Sequence, residues 1–333
     1  MTFDNLCKIV DGERLNLPSV NAYEKIETKA HLIKQGDLFI GSAAESIAVA
    51  INNGAYAILH ENNPTMIDEE VAWIKVDSTD EALIKILRFS LLKSDSLFFY
   101  FSTIEYAILK QIVKKEHMIF LDEQVTTNFK KILEAENNSF FISDNQDFLN
   151  RIYPEYITYH DRELPLIKLT HQTLFLSSFT YEDTHYEDIK LPALFLPALN
   201  RVLHYLKESH LHFDIEKLTF LEHFKPLFVS NRLTIRPFGH SEHVFIVEPD
   251  PKLISDSIHF IQTFAKWAEV LLFLPEESTL NVEAKVLVHS YTNISEVKDI
   301  ELDRFNFILI LANYNELSTT LENSHQEKNP SLF

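Results

Sequence analysis

The stretch FYFSTIEYAIL at residues 99–109 joins two patterns that predict different secondary structures. Its first three residues are aromatic and favour the end of a strand, whereas residues 105–109 begin a run with apolar positions at helical spacing. Ser102 lies between them and is typical of a helix start. Many α/β proteins hold a nucleotide phosphate where a strand turns directly into a helix. The stretch therefore predicts an α/β fold and raises the question of whether it binds phosphate.

The chain around this stretch alternates between strand and helix patterns. Short apolar runs bounded by polar residues predict strands, and the amphipathic runs between them predict helices. Strands joined by helices over short connections form a parallel sheet. The predicted strands are SLFFYF, HMIFLD, SFFISD and EYITYH, and the predicted helices are EYAILKQIVKK, VTTNFKKILEA and NQDFLNRIYP.

Similar patterns flank this central region. Before it, GDLFIG, YAILHE and AWIKVD predict strands, and AESIAVAINNGA and STDEALIKILRFSLLK predict helices. After it, TLFLSSFTYEDTHYEDIKL predicts a hairpin, and LPALNRVLHYLKE and IEKLTFLEHF predict helices. The helix KLISDSIHFIQTFAKWA and the strands EVLLFLP, KVLVHSY and FNFILILAN predict a further α/β unit. We expect domains at residues 1–93, 94–235 and 236–318, and a flexible polar tail at residues 319–333.

The composition excludes several classes of protein. The chain has 333 residues, of which 46% are hydrophobic, so it can bury more than one core. Its 30 basic and 49 acidic residues give a net charge of −19, and this field repels nucleic acids and anionic membranes. No apolar run approaches the roughly 20 residues that span a bilayer, and the N-terminus lacks a signal-peptide pattern. We therefore expect a cytoplasmic protein without membrane insertion.

Two scarce residue types limit the chemistry further. The single cysteine, Cys7, excludes an internal disulfide and a multi-cysteine metal site, and is typical of a buried small hydrophobic residue. Only five glycines occur, and glycine is the residue that lets backbone approach a phosphate closely. This scarcity weighs against a nucleotide-binding enzyme.

Three segments near the N-terminus carry a resemblance to a known family. They are QGDLFIG at residues 35–41, GAYAIL at residues 54–59 and IKVDSTDEAL at residues 74–83. They resemble the Mur ligases of bacterial peptidoglycan precursor synthesis, most closely the MurF branch. LNRVL at residues 199–203 and the FKP and NRL segments within residues 224–233 are similar to later motifs of that family. The resemblance implies a multidomain α/β fold with a small N-terminal α/β cap, a parallel-sheet middle domain and a shortened Rossmann-like C-terminal domain.

The resemblance also implies an ATP site at residues 102–105, because Mur ligases use ATP and Mg²⁺ to form an acyl phosphate. Their phosphate loop, T-G-[ST]-x-G-K-[ST], follows the first strand of the middle domain. This chain has Ser102, Thr103 and Glu105 there, without Gly or Lys, so the amide nest and the positive charge are missing. S-x-x-E is instead a capping box, in which Ser102 and Glu105 each accept from the other's amide. We therefore expect a degenerate phosphate loop and no ATP or Mg²⁺ cofactor.

Other family motifs are altered as well. The uridine-binding D-S-R becomes Glu27-Thr28-Lys29, where Lys29 keeps a positive charge but lacks the planar fork of Arg. The loop with Asp, Gly and His that follows is replaced by SAAES, beginning at Ser42. The C-terminal D-[DS]-Y-[AN]-x-[NH]-P motif becomes VEPDPKLIS at residues 247–255, and the segment with a magnesium ligand has no counterpart. The resemblance implies that the precursor-binding candidates are Thr28, Lys29, Phe39 and Ser42.

Several features leave alternatives open. His240 and His243 have a spacing that suits zinc, but no third ligand has a defined spacing, so surface histidines are favoured. The repeated Tyr-Glu-Asp at residues 181–183 and 186–188 predicts a solvated hairpin turn, with a partner-binding edge as the alternative. LPALFLPAL at residues 191–199 predicts core, with a hydrophobic docking patch as the alternative.

The retained motif order and the altered ATP site favour a catalytically inactive MurF-like paralogue. We expect it to bind a UDP-muramoyl precursor or a cell-wall biosynthesis protein, in a regulatory or scaffolding role, and to bind no nucleic acid and no metal. The alternative is an active UDP-N-acetylmuramoyl-tripeptide:D-alanyl-D-alanine ligase, an ATP-dependent, Mg²⁺-using enzyme that forms an amide bond. A third hypothesis is unrelated chemistry on the same scaffold, with a metal near His240 and His243.

Overall fold

A computed structural model describes residues 1–62, 65–114, 118–122, 124–158, 166–241, 243–280 and 286–328. The chain divides into two compact units. Unit 1 comprises Met1–Ser102 and Lys115–His160, and unit 2 comprises Thr103–Lys114 and Asp161–Phe333. Each unit is therefore assembled from two separate parts of the sequence. Within the described ranges, no helix is both long enough and apolar enough to cross a membrane.

Helices and strands alternate along much of the chain. The helices are α1 (Phe3–Val10), α2 (Ala44–Asn52), α3 (Thr79–Leu91), α4 (Thr103–Ile112), α5 (Val125–Leu133), α6 (Gln146–Ile152), α7 (Leu196–Glu208), α8 (Ile254–Phe264) and α9 (Tyr314–Lys328). The first strands are β1 (Glu13–Arg14), β2 (Ile26–Glu27), β3 (Leu38–Ile40), β4 (Ala57–His60), β5 (Ala72–Lys75), β6 (Leu97–Tyr100), β7 (Met118–Phe120), β8 (Phe140–Ser143) and β9 (Ile157–Thr158). The later strands are β10 (Ile167–Gln172), β11 (Ser177–Tyr181), β12 (Thr184–Ile189), β13 (Lys225–Val229), β14 (His243–Glu248), β15 (Val270–Pro275), β16 (Leu287–Tyr291) and β17 (Phe307–Leu311).

The N-terminal part of unit 1 is a five-stranded sheet in the order β1-β5-β4-β3-β2. Strands β2 to β5 are parallel, and β1 pairs antiparallel with β5. Phe39, Ile58 and Trp73 belong to one buried cluster, and Leu38 and Leu59 belong to another. Parallel strands that are buried on both faces are apolar at nearly every position. This burial explains why the sequence shows these strands as continuous hydrophobic runs, and the predicted α/β pattern is confirmed here.

A second sheet in unit 1 is parallel throughout, in the order β7-β8-β6-β9. Leu83 and Leu87 of α3 belong to the same hydrophobic cluster as Phe98 and Phe141 of this sheet. α3 also contacts α5 and α6. The sequence-predicted limit between residues 93 and 94 therefore falls inside unit 1, because one core includes side chains from both sides of it.

The described residues of unit 2 form two sheets. One is antiparallel, in the order β10-β11-β12, and the other has the order β13-β14-β17-β15-β16. The predicted hairpin is present, since Tyr181 at the end of β11 faces Thr184 at the start of β12. β13 pairs antiparallel with β14, whereas β14, β17, β15 and β16 are parallel. The predicted limit between residues 235 and 236 therefore falls between two strands that share backbone hydrogen bonds.

The apolar segment at residues 191–199 is part of the core of unit 2. Leu191, Phe195 and Leu199 are all buried. The last of these lies on α7, which packs against α4. The interpretation of this segment as core is confirmed, and it is not an exposed docking patch.

One predicted helix is wrong. IEKLTFLEHF forms only a 3-10 turn at Ile215–Lys217, after which Leu218 is extended. The side chain of Gln111 accepts hydrogen bonds from the amide and the hydroxyl of Thr219. A tertiary contact therefore satisfies the amide that a helix would have bonded internally.

The chain beyond residue 318 continues a helix. α9 extends over Tyr314–Lys328, and Leu317 and Leu321 are buried in the core of the larger sheet of unit 2. Residues four apart lie on the same face of a helix, so the two leucines anchor it together. This corrects the expectation of a flexible polar tail for residues 319–328, whereas residues 329–333 lie outside the described residues.

Candidate functional site

Three of the four precursor-binding candidates lie at the carboxyl ends of parallel strands in the first sheet of unit 1. Thr28 and Lys29 follow β2, and Ser42 closely follows β3. The carboxyl ends of parallel strands form the edge at which open α/β sheets bind ligands. Phe39 is different, because its side chain is buried in a cluster with Ile47 and other apolar residues. The structure thus brings three candidates to one edge and places Phe39 in the core.

Glu27, the last residue of β2, accepts hydrogen bonds from the loop that contains Thr28 and Lys29. Its carboxylate accepts hydrogen bonds from the Thr28 amide at 3.1 Å and the Lys29 amide at 3.4 Å. Lys130 of α5 places its Nζ 3.1 Å from the other carboxylate oxygen of Glu27. This hydrogen bond raises the pKa of Lys130, so the ammonium form is favoured. Both amides are therefore used within the protein, whereas the Lys29 side chain is exposed.

Ser42 belongs to a hydrogen-bonded group that the sequence did not reveal. Its Oγ accepts from the Glu61 amide at 3.1 Å. The Glu61 carboxylate accepts in turn from the amide and the hydroxyl of Thr79, at 2.7 and 2.8 Å. These bonds to Thr79 lower the pKa of Glu61. Glu61 therefore stabilises the first turn of α3 as an anion, as expected for a carboxylate at a helix N-terminus.

Glu105 occupies the first turn of α4, where a phosphate loop would lead into its helix. Its side chain is buried, and its carboxylate accepts from Arg201 Nε on α7. The ion pair compensates a charge that would otherwise be costly to bury. Lys110 is also held locally, with its Nζ 5.4 Å from the centre of the Tyr106 ring. The capping bonds between Ser102 and Glu105 stay a prediction.

Glu248, the first acid in the C-terminal segment VEPDPKLIS, is bonded to other residues of unit 2. Glu248 ends β14 and is completely buried. It accepts from the Phe224 amide at 3.1 Å and the Asp250 amide at 2.9 Å, and His223 Nδ1 lies 2.6 Å away. The carboxylate therefore joins two loops of unit 2. The sequence singled out the segment but not the role of His223, because that contact spans 25 residues.

The two histidines of the metal hypothesis lie in different surroundings. His240 is exposed, whereas His243 begins β14 and places its Nε2 3.5 Å from Asp303 Oδ1. In the part of the chain that the structure describes, no group of three or more His, Cys, Asp or Glu side chains is placed to hold a metal ion. Cys7 is half-buried, and burial raises the pKa of its thiol, which favours the unreactive protonated form.

Solved structures share this architecture at low sequence identity. MurF ligase from Thermotoga maritima, in complex with ADP, has a TM-score of 0.56 and 13% identity, over 90% of this chain and 98% of that one. MurF from Acinetobacter baumannii has a TM-score of 0.54 and 10% identity, over 97% and 98% of the two chains. The chain has the Mur ligase fold. At these identities the similarity extends to the fold alone. No protein-family model matches the sequence, and no curated protein matches it.

Proposed function

We propose that this chain is a catalytically inactive, MurF-like protein of peptidoglycan precursor metabolism. It binds a UDP-muramoyl precursor or a cell-wall biosynthesis protein, in a regulatory or scaffolding role, and it needs neither ATP nor Mg²⁺. The observation that carries this proposal is the ion pair between Glu105, buried in the first turn of α4, and Arg201 of α7.

The chemistry of that turn argues against a bound phosphate. A helix N-terminus attracts anions through its free amides and its dipole. Here the first turn already carries the Glu105 carboxylate, and the Arg201 guanidinium is paired with it. Residues 102–105 also contain neither Gly nor Lys. A nucleotide phosphate would therefore have to compete with the Glu105 carboxylate for Arg201, and it would lack the amide nest that usually holds it.

The edge of the first sheet supports the binding of an anionic precursor. Lys29 is exposed there, beside Thr28 and at the same sheet edge as Ser42. Because Glu27 already uses the amides of Thr28 and Lys29, a ligand would be held by side chains. The ammonium group of Lys29 is the element of this edge that suits a diphosphate.

Calorimetric titration of the purified protein with UDP-N-acetylmuramoyl-tripeptide, and separately with Mg·ATP, tests the proposal. We expect binding of the precursor and no binding of Mg·ATP. Lys29→Ala should weaken precursor binding by about tenfold, since a hydrogen bond to a charged group is lost. Lys25→Ala, an exposed lysine directly before β2, is the matched control and should stay within about twofold.

Two other results would change the conclusion. Binding of Mg·ATP, or ATP-dependent phosphate release with precursor and D-alanyl-D-alanine, would contradict inactivity and favour the active ligase. Binding of neither ligand would exclude the precursor and leave a cell-wall biosynthesis protein as the partner.

A further inference from the structure

β16 is an outermost strand of the larger sheet of unit 2, and most of its side chains are exposed. Leu287 and Val288 each have an exposed fraction of 49%, and His289 and Ser290 are exposed as well. Neighbouring residues of a strand point to opposite faces of its sheet, so β16 is open on both faces. The adjacent strand β15 is buried at five of its six positions. Because parallel strands are usually covered on both faces, β16 is unusual in this sheet.

The backbone of β16 offers hydrogen-bonding groups at the edge that faces away from β15. The Tyr291 carbonyl accepts from the Glu276 amide at 2.9 Å, directly after β15, so Tyr291 turns its backbone groups towards β15. This direction alternates along a strand, and the register with β15 is unbroken over Leu287–Tyr291. The amides and carbonyls of Val288 and Ser290 therefore point outwards. Among the residues that the structure describes, no strand pairs with this outer edge.

The other outer strands of the four described sheets have features that discourage pairing with a further strand. β1, β2 and β9 have only two residues each, and β7 has three. β13 contains Pro226, which has no amide hydrogen. β10 and β12 each have a register shift in their pairing with β11, and both contain charged side chains. Short length, proline, bulges and charge protect sheet edges, and β16, with the sequence LVHSY and an unbroken register, has none of these.

The size and charge of this edge indicate what can occupy it. Backbone hydrogen bonds give affinity when an extended peptide adds to a sheet edge, so a short segment suffices. Two copies of β16 would meet over only about 17 Å, which falls well short of the roughly 1,200 Å² that a stable interface buries. Each copy would also carry a net charge of −19. A segment of another protein is therefore favoured over a second copy of this chain.

We propose that an extended, uncharged segment of another protein adds to the outer edge of β16 as a further strand of this sheet. Its backbone would pair with the outward groups of Val288 and Ser290. Its side chains would lie beside Leu287 on one face and Val288 on the other, so it is apolar at neighbouring positions. β-branched residues suit such a segment, because they are favoured in strands. The proposal holds whether or not a precursor binds, since β16 belongs to unit 2 and the precursor-binding candidates belong to unit 1.

Fluorescence anisotropy with three labelled peptides tests strand addition on the full chain. The first peptide is Ser-Thr-Val-Ile-Val-Thr-Ser. The second has the same side chains but is N-methylated at every central amide, and the third has Ser in place of Val and Ile. We expect the first to bind at least about tenfold more tightly than either of the others, because it alone supplies both backbone donors and apolar contact.

Matched variants locate the binding on β16. Ser290→Pro removes an outward amide but keeps the pairing with β15, since an edge strand tolerates proline where the amide faces solvent. It should weaken the first peptide by about tenfold or more, whereas Ser290→Ala keeps the amide and should stay within about twofold. Leu287→Lys places a charge on the edge and should also weaken binding by about tenfold. Its control is Leu169→Lys, at a leucine that is 41% exposed on the outer strand β10.

Hydrogen exchange gives a readout that does not depend on affinity. In the free chain, the amides of Val288 and Ser290 should exchange faster than the amide of His289, which points towards β15. Saturation with the first peptide should slow the exchange of both outward amides, because they become hydrogen-bonded. Unchanged exchange at both amides in the peptide complex would contradict strand addition.

Four other results would overturn the proposal. Equal binding of the N-methylated peptide would exclude backbone pairing, and equal losses in Leu287→Lys and Leu169→Lys would place the binding elsewhere. Failure of the first peptide to bind at about 1 mM would exclude a segment of this chemistry. Self-association that Ser290→Pro abolishes, seen by sedimentation, would make a second copy the occupant. Precursor titration of Ser290→Pro remains a separate readout, so failure here is distinguishable from failure of the proposed function.

Discussion

Glu27, Glu61 and Glu248 each lie at the end of a strand or directly after it, and each accepts hydrogen bonds from backbone amides of nearby segments. Glu105 differs in both respects, because it lies in the first turn of α4 and its carboxylate accepts from the guanidinium of Arg201. A carboxylate that is removed from water needs such donors, since an unpaired buried charge is costly. At the scale of single residues, acids at these positions stabilise the chain itself.

Removal of the partner of Glu105 should destabilise unit 2. Arg201→Met leaves a buried carboxylate without its guanidinium, and we expect a loss of about 2–3 kcal/mol in the free energy of unfolding, measured in urea. The double variant Glu105→Gln/Arg201→Met should recover part of this loss. Lys207 lies on the same helix as Arg201 and forms an exposed ion pair with Glu182. Lys207→Met removes that pair, is the control and should have a much smaller effect. Equal losses in Arg201→Met and Lys207→Met would contradict the structural role of the pair.

His60 should make the stability of the protein depend on pH. The ring is fully buried at the end of β4, and burial lowers its pKa below the ordinary value of about 6.5. The unfolded chain therefore binds the proton more readily, so this part of the stability is fully present above pH ~6.5 and falls as the pH drops towards the folded-state pKa.

Urea unfolding of His60→Phe at about pH 7.5 and about pH 5 measures this effect. The variant should lose less stability on acidification than the unaltered chain, because the site can no longer take up a proton. His31→Phe, at an exposed histidine, should keep the original pH dependence. An unchanged pH dependence in His60→Phe would show that the ring does not titrate in this range.

At the scale of elements, local signals determined several helix limits. The Ser78 side chain accepts from the Glu81 amide at the start of α3, a local contact that is typical of a helix N-terminus. Gly54 follows α2 with a φ of +96°, a conformation that glycine adopts without strain. α9 is different, because its sequence is mostly hydrophilic and no local signal marks it. Two of its leucines are buried and hold it against the sheet.

Leu321→Ala tests whether α9 is part of the folded unit. Deletion of a fully buried leucine side chain should cost about 3 kcal/mol in the free energy of unfolding, from lost transfer energy and the cavity left behind. Glu322→Ala, at the exposed neighbouring position, should change it by less than about 0.5 kcal/mol. An unchanged free energy of unfolding in Leu321→Ala would support the flexible tail that the sequence suggested.

At the scale of the whole molecule, unit 1 combines residues that the sequence assigns to two domains. Leu83 and Leu87 share a core with Phe98 and Phe141, and Arg151 pairs with Glu81 at 2.7 Å. The apolar side of α3 therefore packs against residues from both sides of position 93.

A fragment of residues 1–93 should consequently fail to fold cooperatively. Without the later residues, the apolar face of α3 would be exposed to water, and burial contributes about 25 cal/mol for each Å². Circular dichroism during heating should show a broad, non-cooperative change for the fragment and a sharp transition for the full chain. A cooperative transition of the fragment would establish residues 1–93 as an independent domain.

Much of the architecture was predictable because its signals are local. Apolar periodicity predicted the parallel strands, the β11–β12 hairpin and helices such as α3 and α7. IEKLTFLEHF was predicted wrongly, because its helix competes with Gln111, which is distant in sequence. The candidate site residues stay a prediction: strand order brings Thr28, Lys29 and Ser42 to one sheet edge, whereas Phe39 packs in the core.

The sequence by itself determined the α/β class, the negative field and the absence of Gly and Lys at residues 102–105. These properties depend on composition and on spacing within one or two elements, so they require no knowledge of distant contacts. Only the tertiary structure decided that Glu105 pairs with Arg201, that Glu61 stabilises α3 and that the two sheets of unit 1 share a core. Each of these joins residues far apart in the chain, and their pairing depends on which surfaces the packed elements bring together.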